Sequence, residues 1–363
     1  MNPLLQLREL GQSLWVDDIR RNWLGDGTVR RWIEEDGLAG MTSNPAIFEK
    51  SIAGGEEYRD AAAKLAAQGL APLAIYEQLA LEDVRGAADL FQDVYRATSG
   101  RDGYVSFEVS PLLADDTAGT VAEAQRLWRA LDRPNAMIKV PATAAGLPAI
   151  RDLVAAGINV NVTLIFGLSR YREVVEMFLQ GLEHRARQGL PVGGVASVAS
   201  FFISRIDTLV DARLDAMGTP AARALRGRAA IASARLAYQC FKEWTAGERW
   251  QRLAAQGASA QRLLWASTST KDPAYDALLY VEELAGPSTV NTLPRATLEA
   301  YRQGGRPEVR IEHDLPAAQG CVSELAALGI DLEQAAVQLE REGVQKFVEP
   351  FERLIALLGE PPR

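Results

Sequence analysis

AMIKVPATAAGLPAIRDLVAAGINVNVTLIF, residues 136–166, holds two β-like runs on either side of a helical one. The runs 136–140 and 159–165 alternate apolar and other side chains residue by residue, as strands do, while 147–156 spaces its apolar residues as a helix does. Two strands joined across a helix lie parallel, because a parallel return needs a crossover. The residues that interrupt the apolar set are unusual. Val160, Val162 and Leu164 alternate with Asn159, Asn161, Thr163 and Ile165, and Ile138 and Val140 alternate with Met137, Lys139 and Pro141. Upstream, 104–110 sets Val105, Phe107 and Val109 against Tyr104, Ser106, Glu108 and Ser110.

Successive strand side chains point to opposite faces. A half-exposed antiparallel sheet produces the same alternation, with its polar side in water. The helical segment between these strands argues for a covered parallel sheet, in which the apolar set meets the helices and the polar set faces the lumen. That arrangement gathers Glu108, Lys139, Asn161 and Thr163 in one cavity, near the C-terminal strand ends where barrel active sites lie.

Outward from this unit the pattern recurs. Further β-like runs at 14–17, 39–42, 195–202, 263–267 and 289–292 bring the count to eight, and 120–131, 169–188 and 295–303 are amphipathic. Eight strands alternating with helices predict an α/β fold, a closed (β/α)8 TIM barrel, with residues 1–363 forming one domain. The long connections 46–101 and 205–261 contain helix-like stretches at 71–97 and 221–243 but no strand set, so they read as helical insertions. At 331–358, Leu332, Ala335, Ala336 and Leu339 fall at helical spacing and predict a C-terminal covering helix.

Composition narrows the chemistry. Among 363 residues, 48% are hydrophobic and 24% charged, which places the chain with ordinary globular proteins. A net charge of −8 argues against a nucleic-acid-binding surface while leaving room for a local basic pocket. The longest uncharged runs are broken by Asn, Gly, Pro or Ser, so no membrane span is expected. MNPLLQLREL, residues 1–10, lacks a basic stretch followed by an apolar core, and Cys240 and Cys321 make no disulfide framework; a cytoplasmic location is expected. The only histidines, His184 and His313, sit in charged surroundings, which disfavours histidine metal sites and Ser-His-Asp hydrolysis.

Only six of the 39 basic residues are lysines, so one inside an apolar strand is informative. Burying a lysine and a carboxylate costs several kcal/mol per ion unless they are paired or neutralised. Two readings stay open for Lys139: a structural ion pair, or an amine that burial keeps neutral enough to attack a carbonyl. The second is Schiff-base chemistry.

The chain resembles the transaldolase family, in its longer bacterial form, through SLWVDDIRR (13–21), GMTSNPAIFEKSI (40–52), VSFEVSP (105–111), AMIKVPAT (136–143), GINVNVTLIF (157–166), VASFFISRID (198–207), LLWASTSTKDP (263–273) and STVNTLP (288–294). These segments span all eight expected strands. The resemblance implies a (β/α)8 barrel that passes a dihydroxyacetone unit from a ketose phosphate to an aldose phosphate. In the family these are sedoheptulose 7-phosphate and glyceraldehyde 3-phosphate, giving erythrose 4-phosphate and fructose 6-phosphate in the pentose phosphate pathway. It implies Lys139 as the Schiff-base lysine, Glu108 as the acid/base residue working with Thr163 through a water, and Asp17 as the base at the C4 hydroxyl. Parity with Trp15 favours Asp17 over Asp18 for the lumen.

The same resemblance implies that Asn44 and Asn161 bind the dihydroxyacetone hydroxyls; capping a turn and satisfying backbone groups are their alternatives. Arg205 would hold phosphate in a pocket that Ser200 lines, and Ser267 matches the family there as well. Shorter transaldolases carry an arginine two residues after that serine; here Ser269 stands there, and Lys271 is the replacement. Phe202 stands where the related fructose-6-phosphate aldolases carry Tyr. No metal and no cofactor is expected, because the imine itself withdraws electrons. The expected partners are small sugar phosphates, with a second copy of the chain as a homodimer. A class I lyase and a non-catalytic sugar-phosphate-binding barrel are the alternatives to transfer.

Overall fold

In a computed structural model, which describes residues 2–359, eight parallel strands close in chain order into a barrel. They are β1 (Gln12–Val16), β2 (Gly40–Thr42), β3 (Tyr104–Glu108), β4 (Ala136–Pro141), β5 (Val160–Ile165), β6 (Ser197–Phe202), β7 (Arg262–Ala266) and β8 (Thr289–Leu293). β8 returns to β1, so the sheet has no free edge.

The inverted alternation holds where it matters. On β3 the Phe107 ring points outward and meets Phe48 and Tyr76 on the helices Pro45–Gly54 and Pro72–Leu90, at centroid distances of 5.8 and 6.5 Å. Its neighbours point inward. Tyr104 meets the Trp15 ring at 6.4 Å, Ser106 accepts from Asn161 at 2.9 Å, and Glu108 faces Lys139. Gly40 makes room for this filling: a Cβ there would lie 2.6 Å from the Trp15 indole and 2.7 Å from the Tyr104 carbonyl.

Alternation fails at one place, the end of β5. Leu164 takes a left-handed backbone (φ +61°), and the pairing with β6 skips from Val162–Ala199 to Ile165–Phe201. One extra residue has been inserted, a β-bulge. Ile165 therefore aligns with outward-facing Phe201 instead of sharing the inward face of Thr163, which corrects the strict alternation expected over 159–165. The strand expected at 104–110 stops at Glu108, because Ser110 and Pro111 turn the chain into a 3-10 helix, Pro111–Leu113.

Both long connections are helical. The first carries four helices, from Pro45–Gly54 to Gln92–Ala97, and the stretch expected at 71–97 is divided at Phe91. In the second, the helix expected at 221–243 is two, Pro220–Ala224 and Ala229–Ala246, separated by Gly227 (φ +68°). The helices Pro3–Glu9, Thr28–Asp36 and Leu315–Ala327 were not apparent from spacing. Leu332–Leu358 is one helix of 27 residues, capped by the Asp331 carboxylate and carrying Pro350. No helix among the described residues is long and apolar enough to cross a membrane.

Candidate active site

Lys139 and Glu108 are partners in the β3–β4 register, so both project inward at the same height. They are 4% and 5% exposed. Lys139 Nζ lies 3.5 Å from Glu108 Oε2 and donates to the Ser43 carbonyl at 3.1 Å. Burial pushes the Glu108 carboxyl up to about 7, although the Lys139 charge beside it pulls the other way. A carboxyl with that value exchanges its proton readily near neutral pH. Neither Glu108 oxygen has a hydrogen-bond partner in the protein, and neither does the buried Thr163 Oγ1.

Asp17 follows β1 directly, its N–H donating to the Leu293 carbonyl of β8 at 2.9 Å. Its Oδ1 accepts from Thr42 Oγ1 at 2.6 Å, and Thr42 Oγ1 lies 2.7 Å from Thr292 Oγ1. A hydroxyl has one proton to give. While Thr42 donates to Asp17, Thr292 must be the donor to Thr42, so the pair forms a one-way chain ending on the carboxylate. Burial raises the Asp17 pKa; Lys139, the Thr42 hydrogen bond and Arg205 hold it down. Asp18 leaves the lumen and pairs with Arg20 at 3.4 Å.

Asp17, Thr42, Asn44, Lys139, Thr163 and Ser200 line a cavity of about 140 Å³ at the C-terminal end of the barrel, whereas Glu108, expected in that cavity, is not part of its lining and meets it through Lys139. Asn44 has two tasks. Its Oδ1 caps the helix Pro45–Gly54 by accepting from the Ile47 N–H at 3.0 Å, with Pro45 pre-set for the first helical position, and the residue still faces the cavity. Asn161 does not line the cavity. Its Nδ2 donates to Ser106 and its Oδ1 accepts from Ser200 at 2.7 Å, so its amide braces two inward hydroxyls.

The same cavity carries two further cations: Arg205 and Lys271 line it together with Phe202, Ser267 and Ser269. The Arg205 guanidinium lies 5.2 Å from the Phe202 ring centre, and its buried Nη1 has no protein partner. Ser267 is left-handed (φ +59°), which lets its carbonyl accept from the Ser204 N–H at 3.1 Å and holds the end of β7 against the start of helix Ser204–Met217. Lys271 Nζ donates to Ser269 Oγ at 2.7 Å. Burial lowers the pKa of Lys271 and of Arg205, and the two cations oppose each other. A partly buried guanidinium without a protein partner, in a cavity shared with a second cation, is a place for a doubly charged anion.

The geometry adds residues that sequence reasoning had not singled out. Thr42 and Thr292 belong to the inward set of β2 and the last strand, and their signal lies in strand parity, whereas Ser43, just past β2, contributes its backbone carbonyl, for which side-chain pattern gives no signal. Phe347, from the terminal helix, lies with its ring centre 5.5 Å from Lys139 Nζ. It stands at helical spacing from Leu339, a pattern that can signal a buried face but not which part of the barrel that face covers. The cavity, with the buried Glu108 that pairs with its Lys139, thus offers an amine, a carboxyl that titrates near neutrality, a second carboxylate fed by a hydroxyl chain, and two further cations able to bind an anion. That set can form an imine and move protons at neighbouring carbons.

The chain matches a family model described as Transaldolase/Fructose-6-phosphate aldolase over residues 14–358. It is 47% identical to a protein of Streptomyces coelicolor named Transaldolase 1, over 97% of this chain and 93% of that one. It is likewise 47% identical to a Transaldolase of Parafrankia sp. over 99% and 97% of the two chains, and 45% identical to one of Thiobacillus denitrificans over 99% and 100%.

Proposed function

The chain belongs to the transaldolase/fructose-6-phosphate aldolase family, and from that premise we propose that it is a transaldolase acting through a Schiff base on Lys139. The observation that carries this reading is the buried Lys139, register-paired with Glu108, in a cavity that it shares with Asp17 and the cations Arg205 and Lys271. Its substrates are a ketose phosphate donor and an aldose phosphate acceptor: sedoheptulose 7-phosphate and glyceraldehyde 3-phosphate, or erythrose 4-phosphate and fructose 6-phosphate in reverse. We place the activity in the non-oxidative pentose phosphate pathway and in the cytoplasm.

Lys139, in its neutral form, attacks the ketose C2 carbonyl. Glu108, whose carboxyl titrates at about 7, gives and takes the protons of carbinolamine formation and dehydration. The unpaired Thr163 hydroxyl is free to hold a water against it. The cationic imine draws electrons from the C3–C4 bond as Asp17 removes the C4 hydroxyl proton, and an aldose phosphate leaves. An enamine of dihydroxyacetone remains on Lys139 until a second aldose phosphate arrives and the steps reverse. Arg205 and Lys271 hold the phosphate, Arg205 as a fork stacked on Phe202 and Lys271 as a point charge. Asn44 Nδ2 and Ser200 contact the sugar hydroxyls, and Asn161 positions Ser200.

A decisive experiment is borohydride reduction in the presence of fructose 6-phosphate, followed by peptide mass mapping. The expected result is a three-carbon adduct on the Lys139 peptide, together with sedoheptulose 7-phosphate formed from fructose 6-phosphate and erythrose 4-phosphate. An adduct with free dihydroxyacetone and no seven-carbon product would instead make the chain a lyase, and no adduct would leave only a binding role.

A further inference from the structure

One wall of the cavity comes from outside the barrel. Phe347 is 3% exposed and presents its ring to Lys139 Nζ from the helix Leu332–Leu358. That helix is tied down along its length. At its start Glu333 Oε1 accepts the N–H groups of Leu168 and Ser169, at 3.0 and 3.2 Å. Further along, Glu340 pairs with Arg170 at 3.0 Å, and Gln338 accepts from Arg213 at 2.7 Å. Beyond Phe347, the Phe351 ring meets Tyr76 at 5.6 Å. One turn before Phe347, Gly343 lets the helix sit directly on the β5 bulge: a Cβ there would be 3.0 Å from Leu164 Cδ2. Phe347 is therefore a fixed part of the site, not a loose tail.

Two physical effects follow from the position of the ring. An aromatic face near a desolvated cation stabilises it, and the imine formed on Nζ is such a cation. The ring also occupies space from which water could reach the adduct. The three-carbon enamine has two fates. It can add through C3 to the carbonyl carbon of an aldose phosphate, which is transfer. It can instead take a proton at C3, after which water adds at C2 and the C2–N bond breaks. That route consumes one water and returns the free amine and dihydroxyacetone.

We propose that Phe347 is a specificity-determining residue, walling the Lys139 adduct off from water so that the enamine is kept for the second sugar. The inference rests on the transfer reading above. Its test is the partition between the two fates: free dihydroxyacetone released from fructose 6-phosphate, per sedoheptulose 7-phosphate formed when erythrose 4-phosphate is present. Wild type should favour transfer. F347L, which keeps the apolar packing and loses the aromatic face, should raise released dihydroxyacetone relative to transfer by about three-fold or more, and F347A by about ten-fold or more. F351L, a matching change one turn along the same helix and outside the cavity, should leave the partition as in wild type.

An unchanged partition in both Phe347 variants, with transfer intact in wild type, overturns the inference and leaves the transfer reading standing. An equal shift in F351L also overturns it, since the effect would then belong to the helix and not to the ring. Wild-type protein that releases dihydroxyacetone without transferring it overturns the transfer reading and this inference together.

Discussion

At the scale of single residues, the Lys139–Glu108 pair carries two predictions. Lys139→Ala should lose turnover by several orders of magnitude and retain the fold. Removing the amine takes a cation away from a carboxyl that burial already favours in its protonated, neutral form, so no lone buried charge is created. Circular dichroism beside an activity assay checks both halves; retention of most activity contradicts the assignment. The second concerns pH. Below about 7 Glu108 holds its proton and cannot accept one from the amine; above it the carboxylate can. The expected kcat/KM profile therefore rises with pH through a limb near 7, and a flat profile between pH 6 and 8 would argue against Glu108 as the acid/base group.

At the scale of elements, the loop carrying Ser267, Ser269 and Lys271 is held from behind. Asp272 pairs with Arg226 at 2.6 Å, Tyr275 donates to Asp211 at 2.6 Å, and Tyr280 donates to Asp207 at 2.8 Å. The same two aspartates accept the backbone N–H groups of Gly227 and Ala230, so one pair of carboxylates on the helix Ser204–Met217 fastens both neighbours. Tyr275→Phe removes one of these ties and is expected to raise KM for the phosphorylated ketose several-fold, with kcat little changed, as loss of about 1 kcal/mol of positioning implies. Steady-state kinetics separate the two constants; a loss confined to kcat would remove the loop from phosphate binding. Gly227 tolerates no side chain, since its φ is +68° and a Cβ would lie 2.9 Å from the Tyr275 ring. Gly227→Ala should therefore destabilise by roughly 1–3 kcal/mol, read from denaturant unfolding.

At the scale of the whole molecule, the two ends of the barrel do different work. The C-terminal end holds the chemistry, whereas the N-terminal end is closed by a buried ionic knot. Arg262 of β7 donates to Ser13 at 2.7 Å and pairs with Asp102 at 2.8 Å, and Ser13 donates to the other Asp102 oxygen. These groups join the first and seventh strands to the turn before the third. Arg262→Met leaves Asp102 buried without its counter-charge, at a cost of about 3–5 kcal/mol. The expected outcome is a melting temperature lower by several degrees, with kcat/KM unchanged at a temperature where the variant is folded. A lowered kcat/KM under those conditions would tie the two ends together.

Strand number, strand order and the inward direction of Glu108, Lys139 and Thr163 were legible from the chain alone. Side-chain period in a strand is a property of the backbone, and polar residues at that period mark a face whichever strand lies beside it. The break at Leu164 was not legible, because a bulge is a difference in residue count between two strands and appears only once they pair. Nor was the place of Phe347, about 200 residues along the chain from the lysine it faces, since helical spacing says that a face is buried and not what buries it. The amine and its acid were written locally. What surrounds them was settled by closure of the barrel and by the path of the last helix across its mouth.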